Sequence, residues 1–296
     1  MKYIIAIDIG GSTFRTGLFS DSLTQIDLSE QDKIRYYNDK ISVRDAIINQ
    51  VLNIIDKNNI IKNDILGVGI ALPGPLDTKK GIILNTPNLT IFQNYNIVND
   101  FNKELDLDIF IENDANLFAL GEWYFNFQKS NVLVGVTLGT GLGFGLIIDG
   151  ILFKGGNGFA MEYGLSPFEW GAGEKNICIK YIKESAKALY GKEISPIKIE
   201  EYYNSNDEKA IRIYNKFGNN LGIVLSHIIN MIDPNVITLG GGLSKAFNCF
   251  KSSMLTSIKK NSPTFNIENI MIVKSQLGEK SAMLGASIIV KKNKLK

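Results

Sequence analysis

The chain of 296 residues holds only two cysteines and one histidine. Two thiols, Cys178 and Cys249, cannot make a disulfide framework, so the composition fits a reducing cytoplasm better than a secreted scaffold. The single histidine, His227, lies in a helix of buried pattern and reads as a core or interface residue rather than a metal ligand. No segment approaches the ~20 apolar residues of a membrane span. The first residues pass straight into a strand pattern, and no signal peptide is expected ahead of it. Net charge is +2, which gives no ground for a nucleic-acid partner. The basic tail from Lys291 to Lys296 reads as a solvated end. Linkers, low-complexity segments and short repeats are absent too. What remains is a soluble globular composition, 45% apolar and 21% charged, long enough for two domains sharing one cleft.

The informative stretches are short and rich in glycine or amide. Residues 3–9 form an apolar run ending near Asp8, Gly10-Gly11-Ser12-Thr13 turns the chain, and residues 14–19 run back, so residues 3–19 read as a hairpin. Residues 136–150 repeat that layout around Gly139-Thr140-Gly141, and Gly240-Gly241-Gly242 follows a third apolar run at 236–239. Such turns expose backbone N–H groups without side chains in the way, which suits phosphate, although ordinary hairpins use glycine turns as well. A fourth stretch, Glu112-Asn113-Asp114-Ala115-Asn116, places a carboxylate at the end of an apolar strand with amides on both sides. Asp114 has the chemistry of a general base for a hydroxyl, but an aspartate ahead of residues 115–124 is also a fitting helix N-cap. Asn113 and Asn88 have donors and acceptors for vicinal hydroxyls, and each could equally be a turn residue. A phosphate site together with a hydroxyl site points to phosphoryl transfer to an alcohol.

Helical apolar spacing covers residues 43–57, 97–105 and 115–124, and residues 221–232 read as a mostly buried helix stopped at Asp233-Pro234. Residues 65–72 read as a buried strand ending at Pro73-Gly74-Pro75. Alternating strands and helices indicate an α/β architecture. The boundary is placed near residue 113, giving domains 1–113 and 114–296, with a last helix at about 280–292 expected to pack back on the first half.

The ordered series Asp8-Ile9-Gly10-Gly11-Ser12, Leu72-Pro73-Gly74-Pro75-Leu76-Asp77, Thr86-Pro87-Asn88-Leu89, Glu112-Asn113-Asp114-Ala115-Asn116, Leu138-Gly139-Thr140-Gly141-Leu142-Gly143 and Glu162-Tyr163-Gly164 resembles the ROK (repressor, open reading frame, kinase) sugar kinases from about residue 3 to 287. The resemblance implies the two-domain fold of actin and hexokinase, two ribonuclease H-like halves with ATP in a central cleft whose closure excludes water. It implies an ATP- and Mg²⁺-dependent kinase acting on the 6-hydroxyl of a hexose or N-acylhexosamine, with Asp114 as the base. Gly74, Asn88, Asn113 and Glu162 are then sugar contacts. Gly10, Gly11, Thr13, Thr140, Gly141, Gly241 and Gly242 hold the nucleotide, Asp8 serves the metal through water, and Arg15 neutralises phosphate charge. A homodimer or dimer of dimers is also implied.

One departure from the family pattern matters. Relatives carry Glu-x-Gly-His and a Cys-x-Cys-Gly-x-x-Gly-Cys motif that bind a structural zinc. Here Leu165 stands at the histidine position, Trp170, Ala172 and Ile177 stand at the cysteine positions, and Cys178 is one place off. A lone thiolate cannot build a tetrahedral site, so no zinc is expected. That histidine, and a glutamate at the position of Ile179, also touch the sugar in relatives. Two polar contacts are therefore expected to be missing, with apolar replacements such as Leu165 keeping the loop folded by packing. An acetamido methyl facing Leu165 would favour N-acetylmannosamine; contacts rebuilt by Glu169 or Glu174 would leave a glucokinase. Two other classes compete. A repressor needs a DNA-binding domain of about 60–80 residues, for which this sequence shows no counterpart before its first strand; a sensor would bind sugar without catalysis.

Overall fold

The computed structural model describes residues 1–168, 171–263 and 269–295. Glu169, Trp170 and Lys296 lie outside the described residues. The chain divides into two compact units, one of Met1–Glu122, Lys154–Ala160 and Lys280–Lys296, the other of Trp123–Phe153 and Met161–Glu279.

The first unit begins with the antiparallel hairpin of β1 (Tyr3–Ile9) and β2 (Thr13–Ser20). β1 is buried along almost its whole length, the mark of a strand covered on both faces. β3 (Gln25–Leu28) and β4 (Asp32–Lys33) pair with β2 on its other side. Helix α1 (Lys40–Lys57) buries Val43, Ile47, Ile48, Val51 and Ile54, a stripe at helical period. It starts three residues before the apolar pattern because Asp39 and Ser42 form a capping box, and side-chain caps leave no hydrophobic trace. β5 (Ile65–Leu72) then lies parallel to β1. The short strands β6 (Leu76–Asp77), β7 (Ile82–Ile83) and β8 (Tyr95–Asn96) form a small sheet of their own and lead into α2 (Ile97–Leu105). β9 (Ile109–Asn113) is parallel to β5 and feeds directly into α3 (Asp114–Asn126).

The second unit repeats the pattern. β10 (Val132–Leu138) and β11 (Leu142–Ile148) form an antiparallel hairpin that β12 (Ile151–Leu152) extends at its edge. The hairpin of β13 (Pro167–Phe168) and β14 (Gly171–Ala172) precedes α4 (Gly173–Asn176), α5 (Ile179–Tyr190), α6 (Pro196–Asn204) and α7 (Glu208–Ile232). Helix α7 starts well before the 221–232 pattern, carrying Ala210, Ile213, Tyr214 and Phe217 into the core from among charged neighbours. It ends where Asp233 turns left-handed at φ 49° ahead of Pro234. β15 (Val236–Gly240) pairs parallel to β10, α8 (Phe247–Asn261) follows, and β16 (Met271–Lys274) pairs parallel to β15. Among the described residues the two large sheets run β3-β2-β1-β5-β9 and β12-β11-β10-β15-β16, each an antiparallel hairpin continued by two parallel strands.

The last helix, α9 (Ser281–Lys294), belongs to the first unit and packs on β1, β5 and β9. The approach is backbone to backbone: a Cβ on Gly69 would stand 2.2 Å from the Ala286 carbonyl oxygen, and one on Gly285 would stand 2.0 Å from that of Leu117. The fully buried Ser281 hydroxyl donates to Glu122 at 2.6 Å beside this contact. Gly285→Ala is expected to destabilise the protein by about 1–3 kcal/mol through overpacking, read as a lowered urea midpoint. A midpoint equal to wild type would show that α9 can retreat without cost.

Candidate active site

In the first unit, strand register gathers the candidate residues at one sheet end. Asp8 on β1 is level with Ala71 on β5, Ala71 is level with Glu112 on β9, and Leu72 is level with Asn113. The parallel strands therefore end together, and the chain leaves them as Gly10-Gly11, Pro73-Gly74 and Asp114. Ligands of open α/β sheets bind in the crevice outside such carboxyl ends. Asn88 arrives there through close contact, since a Cβ on Gly11 would lie 2.4 Å from the Asn88 carbonyl oxygen. The Gly10 N–H donates to the Thr13 carbonyl at 2.8 Å, closing the hairpin turn, and the Thr13 hydroxyl accepts from Gln31 Nε2 at 3.1 Å. Arg15, opposite Asp8 in the hairpin, is half-buried.

Asp114 is half-buried and is the first residue of α3 rather than the residue before it. Its Oδ1 accepts from the next backbone N–H, Ala115, at 2.8 Å. The capping role falls to Asn113, whose Oδ1 accepts from Ala115 N at 2.9 Å and Asn116 N at 3.2 Å. Glu112, the first residue of the motif, is a buried charge with 3% of its side chain exposed. Its Oε1 accepts from Asn113 N at 3.0 Å and Asn116 Nδ2 at 3.1 Å, while Oε2 faces the Lys154 ammonium in an ion pair and accepts no other hydrogen bond. The signal was present in the sequence: a charge inside an otherwise apolar strand needs a partner.

In the second unit two glycine turns and a helix start converge. The Gly139 N–H donates to Gly141 O at 3.0 Å, which leaves Thr140 exposed at the tip. Gly241, at φ 79°, allows no side chain, because its Cβ would stand 2.5 Å from Leu138 O. Ile179, the first residue of α5, donates its N–H to Gly139 O at 2.9 Å, and its Cδ1 lies 3.8 Å from where a Gly242 Cβ would be. No side chain caps α5 at Cys178, so the positive end of the helix lies at these turns without a side-chain acceptor. Ile179 thus sits beside the two glycine turns that carry Thr140, Gly141, Gly241 and Gly242.

Glu162 opens the 3-10 turn Glu162–Leu165. Its side chain reaches solvent, yet the surrounding protein mass, and after it the Glu174 carboxylate on α4, raise its pKa above the ordinary glutamate value of 4.5. Two expectations fail in this neighbourhood. Leu165 is 55% exposed and does not hold the loop by packing; the buried apolar groups are Phe168, Ile177 and Cys178, which follow it in sequence. His227 is exposed, which overturns the core half of its core-or-interface reading, because its helix face points away from the core, and its Nδ1 shares a hydrogen bond with the Tyr163 hydroxyl. Among the described residues no group of three or more His, Cys, Asp or Glu side chains has the arrangement of a metal site, and no helix is long and apolar enough to cross a membrane.

Comparison with known proteins follows the same lines. The chain is 29% identical to an N-acetyl-D-glucosamine kinase of Photobacterium profundum, across 95% of this chain and 97% of that protein. It is 27% identical to a glucokinase of Thermotoga maritima, across 97% of both. Its fold is similar to that of a ROK family glucokinase from Streptomyces griseus in complex with glucose and AMPPNP, with a TM-score of 0.83 and 23% identity over 98% of this chain and 99% of that one. The α/β architecture is therefore that of the actin-like sugar kinases. The ROK family pattern itself matches residues 4–293, and the chain belongs to the ROK family.

Proposed function

We propose that the protein is an ATP-dependent kinase that phosphorylates the 6-hydroxyl of a hexose or N-acylhexosamine. The observation that carries this reading is Asp114, half-buried at the carboxyl end of β9 and first in α3, next to Asn113, which accepts from the Ala115 and Asn116 N–H groups. A sugar hydroxyl attacking the γ-phosphorus must lose its proton, and Asp114 is the group to take it. The P–O bond to ADP breaks as the new one forms, with charge spread over the transferred phosphoryl oxygens. Backbone N–H groups at Gly11, Thr140, Gly141, Gly241 and Gly242, with Gly10, whose own N–H closes the turn and which presents no side chain, Thr13, Arg15 and the uncapped start of α5, meet the phosphates. Asp8 offers an oxygen donor at a strand end, which fits a Mg²⁺ ion held through its waters; when bound, the ion supplies charge neutralisation between phosphates. Asn88, Asn113, Gly74 and Glu162 contact the sugar in this reading.

Asp114→Asn should fold normally and lose roughly 10²–10⁴ in kcat, the effect of removing a general base. Retention of more than about a third of wild-type kcat at saturating sugar would remove Asp114 from that role. Glu162 accepts a sugar hydroxyl more strongly when ionised, through a charge-assisted hydrogen bond. Its raised pKa means that, as pH falls, sugar kcat/KM drops at higher pH than an ordinary glutamate would produce. Glu174→Gln removes the neighbouring like charge and should move that acid limb to lower pH; an unmoved limb would sever Glu174 from Glu162.

For the sugar we favour N-acetylmannosamine over glucose. Leu165 presents an exposed apolar side chain three residues after Glu162, where an acetamido methyl gains about 1 kcal/mol on burial and a hydroxyl gains nothing. Glu174, close enough to raise the Glu162 pKa, supports the second reading, a glucokinase with a rebuilt polar contact. The ratio of kcat/KM for the two sugars decides, and a tenfold advantage for glucose would end the N-acyl reading. No structural zinc is proposed, since Leu165, Ala172 and Ile177 offer no ligand atoms. Elemental analysis finding one zinc per chain after dialysis against chelator would refute that.

A further inference from the structure

A turn of 3-10 type only four residues long has little stability of its own, so the direction in which Glu162 presents its carboxylate depends on what tethers the turn. Met161, just before it, takes a left-handed backbone at φ 67°. Gly164 presses on β11 so closely that a Cβ would stand 2.0 Å from the Leu142 carbonyl oxygen. Between Glu162 and Gly164 stands Tyr163, whose ring meets Phe144 of β11 edge-on at 5.9 Å and the His227 ring of α7 at 6.0 Å. The Tyr163 hydroxyl shares its hydrogen bond with His227 Nδ1. His227 is exposed, so core packing gives no reason for an imidazole there, and the hydroxyl is its hydrogen-bonding partner.

We propose that Tyr163 and His227 form a clamp between the Glu162 turn and α7, making both of them positioning residues for sugar recognition. The proposal rests on the assignment of Glu162 as a sugar contact. Glu162 and Tyr163 are adjacent in a tight turn, so a rotation of the Tyr163 backbone swings the glutamate with it. Phe144 fixes the body of the Tyr163 ring by edge contact, and His227 fixes its polar tip. Burial raises the Tyr163 pKa, so the phenol stays protonated and available as a donor near neutral pH. With the Nε2–H tautomer of the imidazole the phenol donates to Nδ1; with the Nδ1–H tautomer or an imidazolium Nδ1 donates to the phenol oxygen, so the link persists in each form. The clamp is a fixed strut and not a pH switch.

The test compares Tyr163→Phe, His227→Ala, His227→Gln and the double variant Tyr163→Phe/His227→Ala with wild type. For each, kcat, the KM for the best sugar, the KM for ATP and the melting temperature are measured, with Glu162→Gln as reference. The expected pattern is a rise of about 3- to 10-fold in sugar KM for Tyr163→Phe and for His227→Ala, the scale of one lost hydrogen bond. Values of kcat and of the KM for ATP should stay within about twofold of wild type. The double variant should be no worse than either single, because both remove the same link. His227→Gln, whose amide oxygen can accept from the phenol, should recover most of the loss. Unchanged sugar KM in both single variants, an equal rise in the KM for ATP, or multiplied effects in the double variant would overturn the clamp. If Glu162→Gln itself leaves sugar KM unchanged, the role of Glu162 falls and the clamp falls with it. A raised sugar KM in Glu162→Gln alone keeps the sugar contact and rejects only the clamp.

Discussion

The first unit depends on three parallel strands, β1, β5 and β9, that finish level with one another. The register of the buried strands fixes this, with Asp8, Ala71 and Glu112 in one row. Adjacent strands lie about 4.8 Å apart, so residues leaving the sheet at the same level are held within a small space by hydrogen-bond ladders rather than by loops. The ladder in turn requires burial on both faces, supplied by the apolar length of β1 and β5 and by α9, whose backbone touches the sheet through Gly69. The close approach of α9 at Gly69 makes this helix part of the frame that carries Asp8 and Asp114.

Charge within that frame follows from the same geometry. Glu112 sits one residue before the strand end, where its neighbours are buried, and desolvating a carboxylate is tolerated only when it is paired and hydrogen-bonded. Lys154, Asn116 and the Asn113 backbone supply those partners. The buried carboxylate thus ties together the start of α3, the strand end and the Lys154–Ala160 segment, and Asp114 inherits its place from that knot. In the second unit the comparable economy lies in backbone alone: two glycine turns pressed together and a helix start bonded to one of them.

Hairpins, parallel strands and glycine turns were legible in the sequence because they rest on local signals, runs of Ile, Val and Leu broken by Gly-Gly or Gly-Thr. Asp114 and its amide neighbours were legible for the same reason. Exposure of single residues was not. His227 lies among Leu225, Ile228 and Ile229, all buried, and only the direction of its helix face in the packed unit tells that it points outward. Leu165 is apolar yet open to solvent, because the short turn that carries it is pinned by Gly164 and Tyr163 instead. Lys154 stands in a glycine-rich segment far along the chain from Glu112, and no periodicity links the two. The starts of α1 and α7 were missed because capping residues and interleaved charges carry no apolar pattern.

The central claim is that the two sets of residues perform phosphoryl transfer to a sugar, and product identification tests it directly. The protein is incubated with ATP and Mg²⁺ against glucose, mannose, fructose, N-acetylglucosamine and N-acetylmannosamine, with ADP release followed and products resolved by phosphorus NMR. The account predicts sugar-dependent ADP formation with one equivalent of a sugar 6-phosphate for at least one of the five. ADP release no faster than the sugar-free rate for all five, with sugar binding seen by calorimetry, would contradict it and leave a protein that binds sugar without catalysis.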